Sequence, residues 1–287
     1  MNKMKFIIVD GYPKESRDQF DVVGMRLAAQ LYADMVKRHI ADAVCDIYYS
    51  SDPGVELPND AEIGQAAGVL WPGCNLTVYH DHDERVTRML KMVKQAYRLG
   101  VPQFGSCWGA QIAVVAAGGK VAPNPKGREM GLARKVHLTD EGRKHPMYNG
   151  KPMVFEGYIS HDDHIVELPD GAVLLASNEF SRVQAVAVQH ERGVFWATQY
   201  HPEYDLHEVA RLIVAREERL IHHGFFKDHD DLTRYVQDLE ALYADPGRKD
   251  LRWKYAIDDH VLDETIRQKE FSNWLTAVVL PRAEQNA

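Results

Sequence analysis

The sequence predicts an α/β fold in which a mostly parallel central sheet is flanked by helices and is followed by a helical C-terminal extension. Short apolar runs alternate with longer amphipathic segments through the first half of the chain. Such alternation is typical of parallel strands joined by helices that cover both faces of the sheet. Past about residue 215, apolar residues recur at helical spacing instead. We therefore predict an α/β domain at 1–215 and a helical extension at 216–287 packed on it.

The individual elements are predicted from the lengths and periods of the apolar runs. A few consecutive apolar residues are enough for a buried strand, whereas an apolar residue every three or four positions indicates an amphipathic helix. In chain order we predict strand 6–9, helix 22–36, strand 44–49, strand 69–71, helix 86–99, strand 102–104 and helix 112–117. Shorter strands follow at 153–155, 173–177, 183–188 and 194–198. Because active sites of such sheets lie at the carboxyl ends of the strands, residues that follow strands are the candidates for function.

The helical extension is predicted from two groups of apolar residues. The first group consists of Leu232, Tyr235, Val236, Leu239, Leu242 and Tyr243, and the second of Leu262, Ile266, Phe271, Trp274 and Leu275. An apolar stripe at helical spacing is buried either against the body of the same chain or against another molecule. We predict packing on the α/β domain, with an oligomer or partner contact as the alternative.

A cysteine lies between two glycines where a predicted strand meets a predicted helix. The segment reads Gly105-Ser106-Cys107-Trp108-Gly109. A sharp strand-to-helix turn exposes a nucleophile, and flanking glycines leave room for crowded backbone and for substrate. Unpaired N–H groups at the helix N-terminus favour the thiolate, which is the reactive form. The pattern predicts a nucleophile, and a buried, unreactive cysteine is the alternative.

A second motif, His201-Pro202-Glu203, follows the predicted strand at 194–198. A thiol nucleophile needs a base, and a histidine can take its proton and later return that proton to a leaving amine. A carboxylate two residues away can hold the imidazole in one tautomer and stabilise its charged form. We predict that Cys107 is the nucleophile, His201 the general base and Glu203 its orienting partner.

With two further motifs, the chain resembles the class I (triad-type) glutamine amidotransferases, most of all the glutaminase domain of GMP synthetase. The further motifs are Gly127-Arg128-Glu129-Met130-Gly131 and Ser160-His161-Asp162-Asp163, and the likeness spans roughly residues 5–215. The resemblance implies a flavodoxin-like class I glutamine amidotransferase fold. It also implies cleavage of the side-chain amide of glutamine through a γ-glutamyl thioester on Cys107, with release of ammonia and then glutamate.

The resemblance assigns further roles and includes one departure. The family's oxyanion loop usually reads Gly-Gly-Pro, whereas this chain has Pro72-Gly73-Cys74 after the apolar run at 69–71. The family pattern implies that the N–H groups of Gly73 and Trp108 form the oxyanion hole. It also implies that Gln111, Ser160 and His161 bind the glutamyl group. Because the loop is altered, and because Trp108 and Ala110 replace the family's usual Tyr and Met, the pocket need not favour glutamine itself.

Composition restricts the partners and the cellular location. A net charge of −8, without a Lys/Arg-rich run, argues against nucleic acid as a partner. The N-terminal apolar run is too short for a signal peptide or a membrane span, so we expect a cytoplasmic protein without membrane attachment. Three scattered cysteines do not make a disulfide framework.

No cofactor is predicted. The His/Asp-rich segments at 80–83 and 161–164 lack the histidine spacing of a zinc helix, so we expect solvated loops and no metal. The segment Gly118-Gly119-Lys120-Val121 lacks both the upstream glycine and the following Ser/Thr of a phosphate-binding loop, so the sequence contains no recognisable ATP site. An amidotransferase must pass its ammonia to a synthetase, and no synthetase motif is present in this chain.

Two functions therefore remain open at this stage. The first is a free-standing amidohydrolase that cleaves glutamine or an N-substituted γ-glutamyl amide and discards the amine. The second is a glutaminase subunit that delivers ammonia to a separate synthetase. Both act on a small γ-glutamyl substrate, and a homo-oligomer is compatible with either.

Overall fold

The computed structural model describes residues 3–285 and has a nine-stranded mixed sheet at its centre. The strands are β1 (Lys5–Asp10), β2 (Val44–Tyr49), β3 (Gly68–Trp71), β4 (Gln103–Ser106), β5 (Lys120–Pro123), β6 (Glu129–Leu138), β7 (Val154–His161), β8 (Asp163–Glu167), β9 (Ala172–Ser177), β10 (Ala185–His190) and β11 (Gly193–Thr198). The order across the sheet is β2-β1-β3-β4-β11-β10-β9-β6-β7, while β5 and β8 form a separate antiparallel pair. The first five strands in this order, from β2 across to β11, are mutually parallel. Each of the remaining four strands is antiparallel to its neighbours.

Helices cover both faces of this sheet. They are α1 (Lys14–Val23), α2 (Ala28–His39), α3 (Asp60–Gln65), α4 (Glu84–Leu99), α5 (Trp108–Ala116), α6 (Asp140–Lys144), α7 (Leu206–Ala215), α8 (Glu217–His222), α9 (His229–Ala244), α10 (Lys249–Tyr255), α11 (Asp259–Leu262), α12 (Glu264–Arg267), α13 (Lys269–Trp274) and α14 (Leu280–Gln285). Helices α2 and α13 pack on one face of the sheet, and α3, α4 and α5 on the other. Within residues 3–285, no helix is long and apolar enough to cross a bilayer.

The predicted fold class is confirmed, and the boundaries of most predicted strands agree with the structure. The prediction of one helix at 22–36 is wrong, because Gly24 adopts a left-handed conformation with φ 77° and ends α1, and α2 begins four residues later. Glycine takes this conformation without the steric cost that other residues pay. The long strand β6 was not predicted, because its burial alternates only in part.

The helices after residue 215 bury their apolar residues against the sheet domain in two places. Leu232, Leu239 and Leu242 of α9 join a cluster with residues of α1 and α7. At the far end, Trp274 is fully buried against Phe6 and Phe104 of the sheet, with ring centroids 6.3 and 5.7 Å away. The described part of the chain therefore shares core residues between the sheet and the extension.

A buried ion pair connects the extension to the loop that precedes β7. The Lys151 ammonium lies 2.8 Å from the Glu270 carboxylate of α13, and both side chains are inaccessible to solvent. Glu270 also accepts a hydrogen bond from the Tyr200 hydroxyl, and Tyr200 lies 2.8 Å from the Tyr148 hydroxyl. Because a buried charge without its partner is strongly destabilising, this contact fixes α13 relative to Tyr200.

Replacing Trp274 by alanine should lower the free energy of unfolding by about 3–5 kcal/mol, because a large cavity would open between α13 and the sheet. The measurement is the denaturant midpoint of the full chain. Trp253 is the matched control, since its side chain is 88% exposed on α10, and Trp253→Ala should change stability by less than about 0.5 kcal/mol. Equal effects of the two substitutions would contradict the role given to Trp274.

Candidate functional site

Cys107 occupies a strained turn between β4 and α5. Its backbone has φ 53° and ψ −104°, which is unusual for a residue other than glycine. The Cys107 N–H donates a 2.8 Å hydrogen bond to the Thr198 carbonyl, at the end of the adjacent strand β11. Such strain persists only where surrounding contacts enforce it, and it is common at functional sites. The turn presents the thiol at the carboxyl end of the parallel strands.

The two glycines of the turn allow close approach of the neighbouring strand β3. A Cβ atom added at Gly109 would lie 2.3 Å from the Trp71 carbonyl oxygen, and one at Gly105 would lie 2.8 Å from the same atom. Neither separation is physically tolerable, so side chains are excluded at both positions. These glycines therefore give space to the Trp71 backbone. The space beside them is filled by protein and is not open to substrate.

His201 lies directly beyond β11, which pairs with β4 in parallel. Its backbone N–H donates to the Tyr158 carbonyl at 2.7 Å, and its Nδ1 atom lies 2.7 Å from Oε1 of Glu203. The imidazole also stacks on the Tyr204 ring with a centroid distance of 4.1 Å and an interplanar angle of 1°. The first contact fixes the backbone of His201 and the other two fix its imidazole, and the neighbouring strands bring the residue to the same sheet edge as Cys107.

Two hydroxyl groups that the sequence analysis did not identify extend this network. The Ser106 hydroxyl donates to Oε1 of Glu203 at 2.8 Å, and the Tyr32 hydroxyl donates to the Ser106 oxygen at 2.8 Å. All of these side chains are buried. No local motif links Tyr32 of α2 to Ser106, so only the three-dimensional packing reveals that α2 supports the Glu203 carboxylate.

The charge state of His201 follows from its neighbours. Burial lowers the pKa of His201, but the Glu203 carboxylate and hydrogen bonds with Cys107 and Glu203 raise it to about 10. The imidazolium is therefore favoured at neutral pH. The resulting contribution to stability is fully present below the unfolded pKa of about 6.5 and is lost as the pH rises through about 10.

Glu203→Gln should lower turnover less than loss of the imidazole would, because glutamine can still accept a hydrogen bond from His201. It should also move the alkaline limb of the kcat/KM profile to lower pH, since the negative charge that raises the His201 pKa is gone. The pH–rate profile of the two proteins is the measurement. An unshifted alkaline limb would show that Glu203 does not set the protonation of His201.

Gly73 lies against both Cys107 and His201. A Cβ atom added at Gly73 would be 2.8 Å from Cε1 of His201 and 3.3 Å from Cβ of Cys107. Among the described residues, neither the Gly73 N–H nor the Trp108 N–H donates a hydrogen bond to a protein acceptor. The two amides predicted for the oxyanion hole are thus free to donate, and Gly73 lies beside the thiol-bearing residue.

Gly73→Ala should reduce kcat by about 10²–10³-fold, because the added methyl group displaces the imidazole and the loop amide together. Steady-state kinetics measure the effect. Gly64 is a matched control, since a Cβ atom there meets nothing within 4 Å, and Gly64→Ala should leave kcat unchanged. A Gly73→Ala protein with normal kcat would remove this loop from the site.

The three residues predicted to bind the glutamyl group line the same pocket. They differ in which of their polar atoms are free to contact a substrate. Gln111 donates from Nε2 to the Asp163 carbonyl at 3.2 Å, which leaves its Oε1 atom unused. The Ser160 carbonyl lies 3.6 Å from the Cys107 sulfur, while its hydroxyl accepts from Arg128. Both ring nitrogens of His161 are engaged, with Glu129 and with the Asp163 carbonyl. His161 thus supports the pocket wall, and Ser160 presents its backbone.

The pocket has a volume of about 370 Å³ and is bounded by polar and charged side chains on most sides. Beside the residues above, its lining includes Tyr12, Asn75, Leu212, Arg216 and Arg219. Among residues 3–285, no group of three or more His, Cys, Asp or Glu side chains is arranged to hold a metal ion. The chemistry that this arrangement supports is attack by a thiol on a carbonyl group, with a histidine and amide donors at hand.

This chain belongs to the class I glutamine amidotransferase family, whose sequence model matches residues 43–217. The match includes the Cys107 turn and the His201-Pro202-Glu203 motif. The resemblance found in the sequence is thereby confirmed, and the family is an enzyme family.

Individual relatives differ in how much of the chain they match. A γ-glutamyl-L-1-hydroxyisopropylamide hydrolase from a Pseudomonas species is 29% identical, over 99% of this chain and 96% of that protein. A GMP synthase (glutamine-hydrolysing) from Clostridium novyi is 28% identical over 61% of this chain. That match covers only 31% of the synthase, so the chain spans about a third of the length of this relative.

Solved structures share the fold at low sequence identity. A glutamine amidotransferase from Thermotoga maritima superposes with a TM-score of 0.68 at 14% identity, covering 98% of this chain and all of that chain. A glutamine amidotransferase from Methylobacillus flagellatus has a TM-score of 0.63 at 17% identity, covering 96% and 95%. Both likenesses include the helical region after residue 215 and establish the fold.

Proposed function

We propose that this protein is a free-standing amidohydrolase that cleaves a γ-glutamyl amide bond, in glutamine or in an N-substituted γ-glutamyl amide. The observation that supports it most is the placement of Cys107 on a strained turn beside His201, which is itself hydrogen-bonded to Glu203. A thiol, an imidazole and an orienting carboxylate in this order are the groups that acyl transfer from an amide requires.

The proposed reaction proceeds in two halves through a thioester. The Cys107 thiolate attacks the γ-carbonyl carbon, and the developing oxyanion accepts hydrogen bonds from the N–H groups of Gly73 and Trp108. The carbon–nitrogen bond then breaks as His201 gives its proton to the leaving nitrogen. A water molecule, deprotonated by His201, attacks the thioester carbon. Glutamate leaves and the Cys107 thiolate with its protonated His201 is restored.

Similarity over the whole chain favours hydrolysis without a synthetase. The γ-glutamyl-L-1-hydroxyisopropylamide hydrolase matches nearly all of this chain, including the helical extension. The GMP synthases match less of this chain, and the greater part of their length has no counterpart here. The second candidate, a glutaminase subunit serving a separate synthetase, is supported by the family to which the chain belongs.

The deciding experiment uses the purified full chain alone. We expect steady release of glutamate from glutamine or from a panel of N-substituted γ-glutamyl amides, measured with a coupled glutamate assay. Negligible hydrolysis of every substrate, followed by a severalfold rise when a co-purifying ATP-dependent enzyme is added, would favour the subunit function. Size-exclusion chromatography with light scattering on the same sample would determine whether a homo-oligomer forms.

A further inference from the structure

The first residues of the helical extension contribute two arginines to the candidate site. Helix α7 ends at Ala215 and α8 begins at Glu217, and Arg216 at this junction and Arg219 one turn later both line the pocket. The family match ends at residue 217. These side chains therefore lie at or beyond the end of the part of the chain that the family has in common.

The arginines of the pocket differ in whether they are paired. Arg128 and Arg219 both contact the Asp162 carboxylate, at 2.5 and 2.8 Å. Arg216 has no carboxylate within ion-pair distance among residues 3–285, and its guanidinium lies 5.5 Å from the centre of the Phe20 ring. Arg216 is half-buried. An arginine of this kind, free of an acidic partner and held at a pocket wall, is available to an anionic ligand.

The charged side chains around the pocket leave Arg216 without an acidic counterpart. The other two arginines of the lining, Arg128 and Arg219, share the Asp162 carboxylate. The glutamyl group of any substrate supplies one ammonium and one carboxylate, which offset each other. A second carboxylate on the substrate would supply the partner that Arg216 lacks.

The position of His201 indicates which end of the substrate approaches Arg216. In the proposed reaction His201 must reach the leaving nitrogen, so the amine lies on the His201 side of the thiol. There, the imidazole stacks on Tyr204, which packs in one cluster with Tyr12 and Phe20. The Tyr12 ring meets the Phe20 ring edge to face with a centroid distance of 4.9 Å, and the Arg216 guanidinium lies over the Phe20 ring. Gln111 and the Ser160 backbone, at positions that the family pattern assigns to the glutamyl group, line the same pocket.

We infer that Arg216, with Tyr12 and Leu212 as the adjoining wall, forms a leaving-amine subsite for a carboxylate. The preferred substrates would then be γ-glutamyl amides whose amine bears a carboxylate, such as γ-glutamyl amino acids. This inference rests on the proposed function and specifies its substrate class. Hydrogen bonds between charged groups are strong enough to produce a preference of at least about tenfold in kcat/KM.

The test compares two substrates that differ only in this charge, γ-L-glutamyl-L-alanine and γ-L-glutamyl-L-alaninamide, with glutamine as a reference. For the wild-type chain we expect kcat/KM to be at least about tenfold higher for the carboxylate. Arg216→Gln should abolish this ratio while activity on the amide and on glutamine changes less than about twofold, and Arg216→Lys should restore part of it. Arg234→Gln, which removes one exposed positive charge on α9, is the control and should leave the ratio intact.

The outcomes separate this inference from the proposed function. Equal rates on both alanine derivatives, or an unchanged ratio in Arg216→Gln, would overturn the subsite and leave the hydrolase intact. A similar loss on all three substrates in Arg216→Gln would assign Arg216 to the glutamyl group and overturn it too. If the wild-type chain cleaves none of them, the proposed function fails and the subsite with it. Retained activity of Arg216→Gln on glutamine shows that the variant is folded.

Discussion

Replacing Cys107 by alanine is expected to abolish turnover, by at least about 10⁴-fold in kcat, because the proposed thioester cannot form without the Cys107 thiol. The protein should stay folded, since the side chain is small and its backbone strain is maintained by the surrounding strands. The measurements are glutamate release and the thermal unfolding midpoint of the variant. Residual activity above about a hundredth of the wild type would exclude Cys107 as the nucleophile.

Selective modification tests the same assignment without a mutation. The other two thiols serve as internal controls, because burial raises the pKa of Cys45 and raises that of Cys74 well above its usual range. Cys74 also lines the pocket, so access alone does not distinguish it from Cys107. An electrophilic glutamine analogue at neutral pH should therefore add mass to Cys107 only, as read by peptide mass spectrometry. Labelling of Cys74 with retained activity would contradict the prediction.

The nucleophile and the base were predictable because their motifs are local in sequence. Each motif needs only a few consecutive residues to indicate its chemistry. One is a cysteine between glycines at a strand-to-helix turn, and the other is a His-Pro-Glu triplet after a strand. The strand alternation then implied that both would lie at one sheet edge. The fold class followed for the same reason, since each strand and helix has its own apolar period.

Contacts between distant segments could not be predicted in this way. Tyr32 reaches Ser106 only because α2 packs on the face of the sheet at β1 and β2, and nothing near Tyr32 in the sequence indicates a hydrogen bond to a residue that contacts Glu203. Arg216 is one of many arginines in the chain, and its position at the pocket follows from the break between α7 and α8. The helix predicted at 22–36 failed for a related reason, because a single glycine in a helical pattern is tolerated in some contexts and ends the helix in others.

For the side chains that the family resemblance assigned to the substrate, the sequence predicted the positions but not the available atoms. The positions of Gln111, Ser160 and His161 at the pocket agree with the expectation, but sequence cannot reveal which atoms are already used. Glu129 and the Asp163 carbonyl occupy the two nitrogens of His161. A hydrogen bond satisfied within the protein is costly to exchange for one with a ligand, so His161 is better suited to hold the wall.

Replacing His201 by alanine should lower kcat by about 10³-fold or more, because the variant has no group that can protonate the leaving amine or activate the attacking water. The imidazole is held by Glu203 and by the Tyr204 ring, and the backbone of His201 is held by the Tyr158 carbonyl. Steady-state kcat on the best γ-glutamyl amide is the measurement. His207→Ala is the control, since His207 forms a similar pair with Glu240 outside the pocket, and it should change kcat less than about twofold.

A double substitution shows whether the thiol and the imidazole act as one unit. If they do, adding His201→Ala to Cys107→Ala costs almost nothing further, because the second group has no function once the first is gone. Independent contributions would instead multiply, and the double variant would be slower than either single variant by the full second factor. Near-wild-type turnover of the single His201 variant would remove it from the mechanism. The Glu203 carboxylate would then stabilise only the fold, through the hydrogen bonds that it accepts from Ser106 and His201.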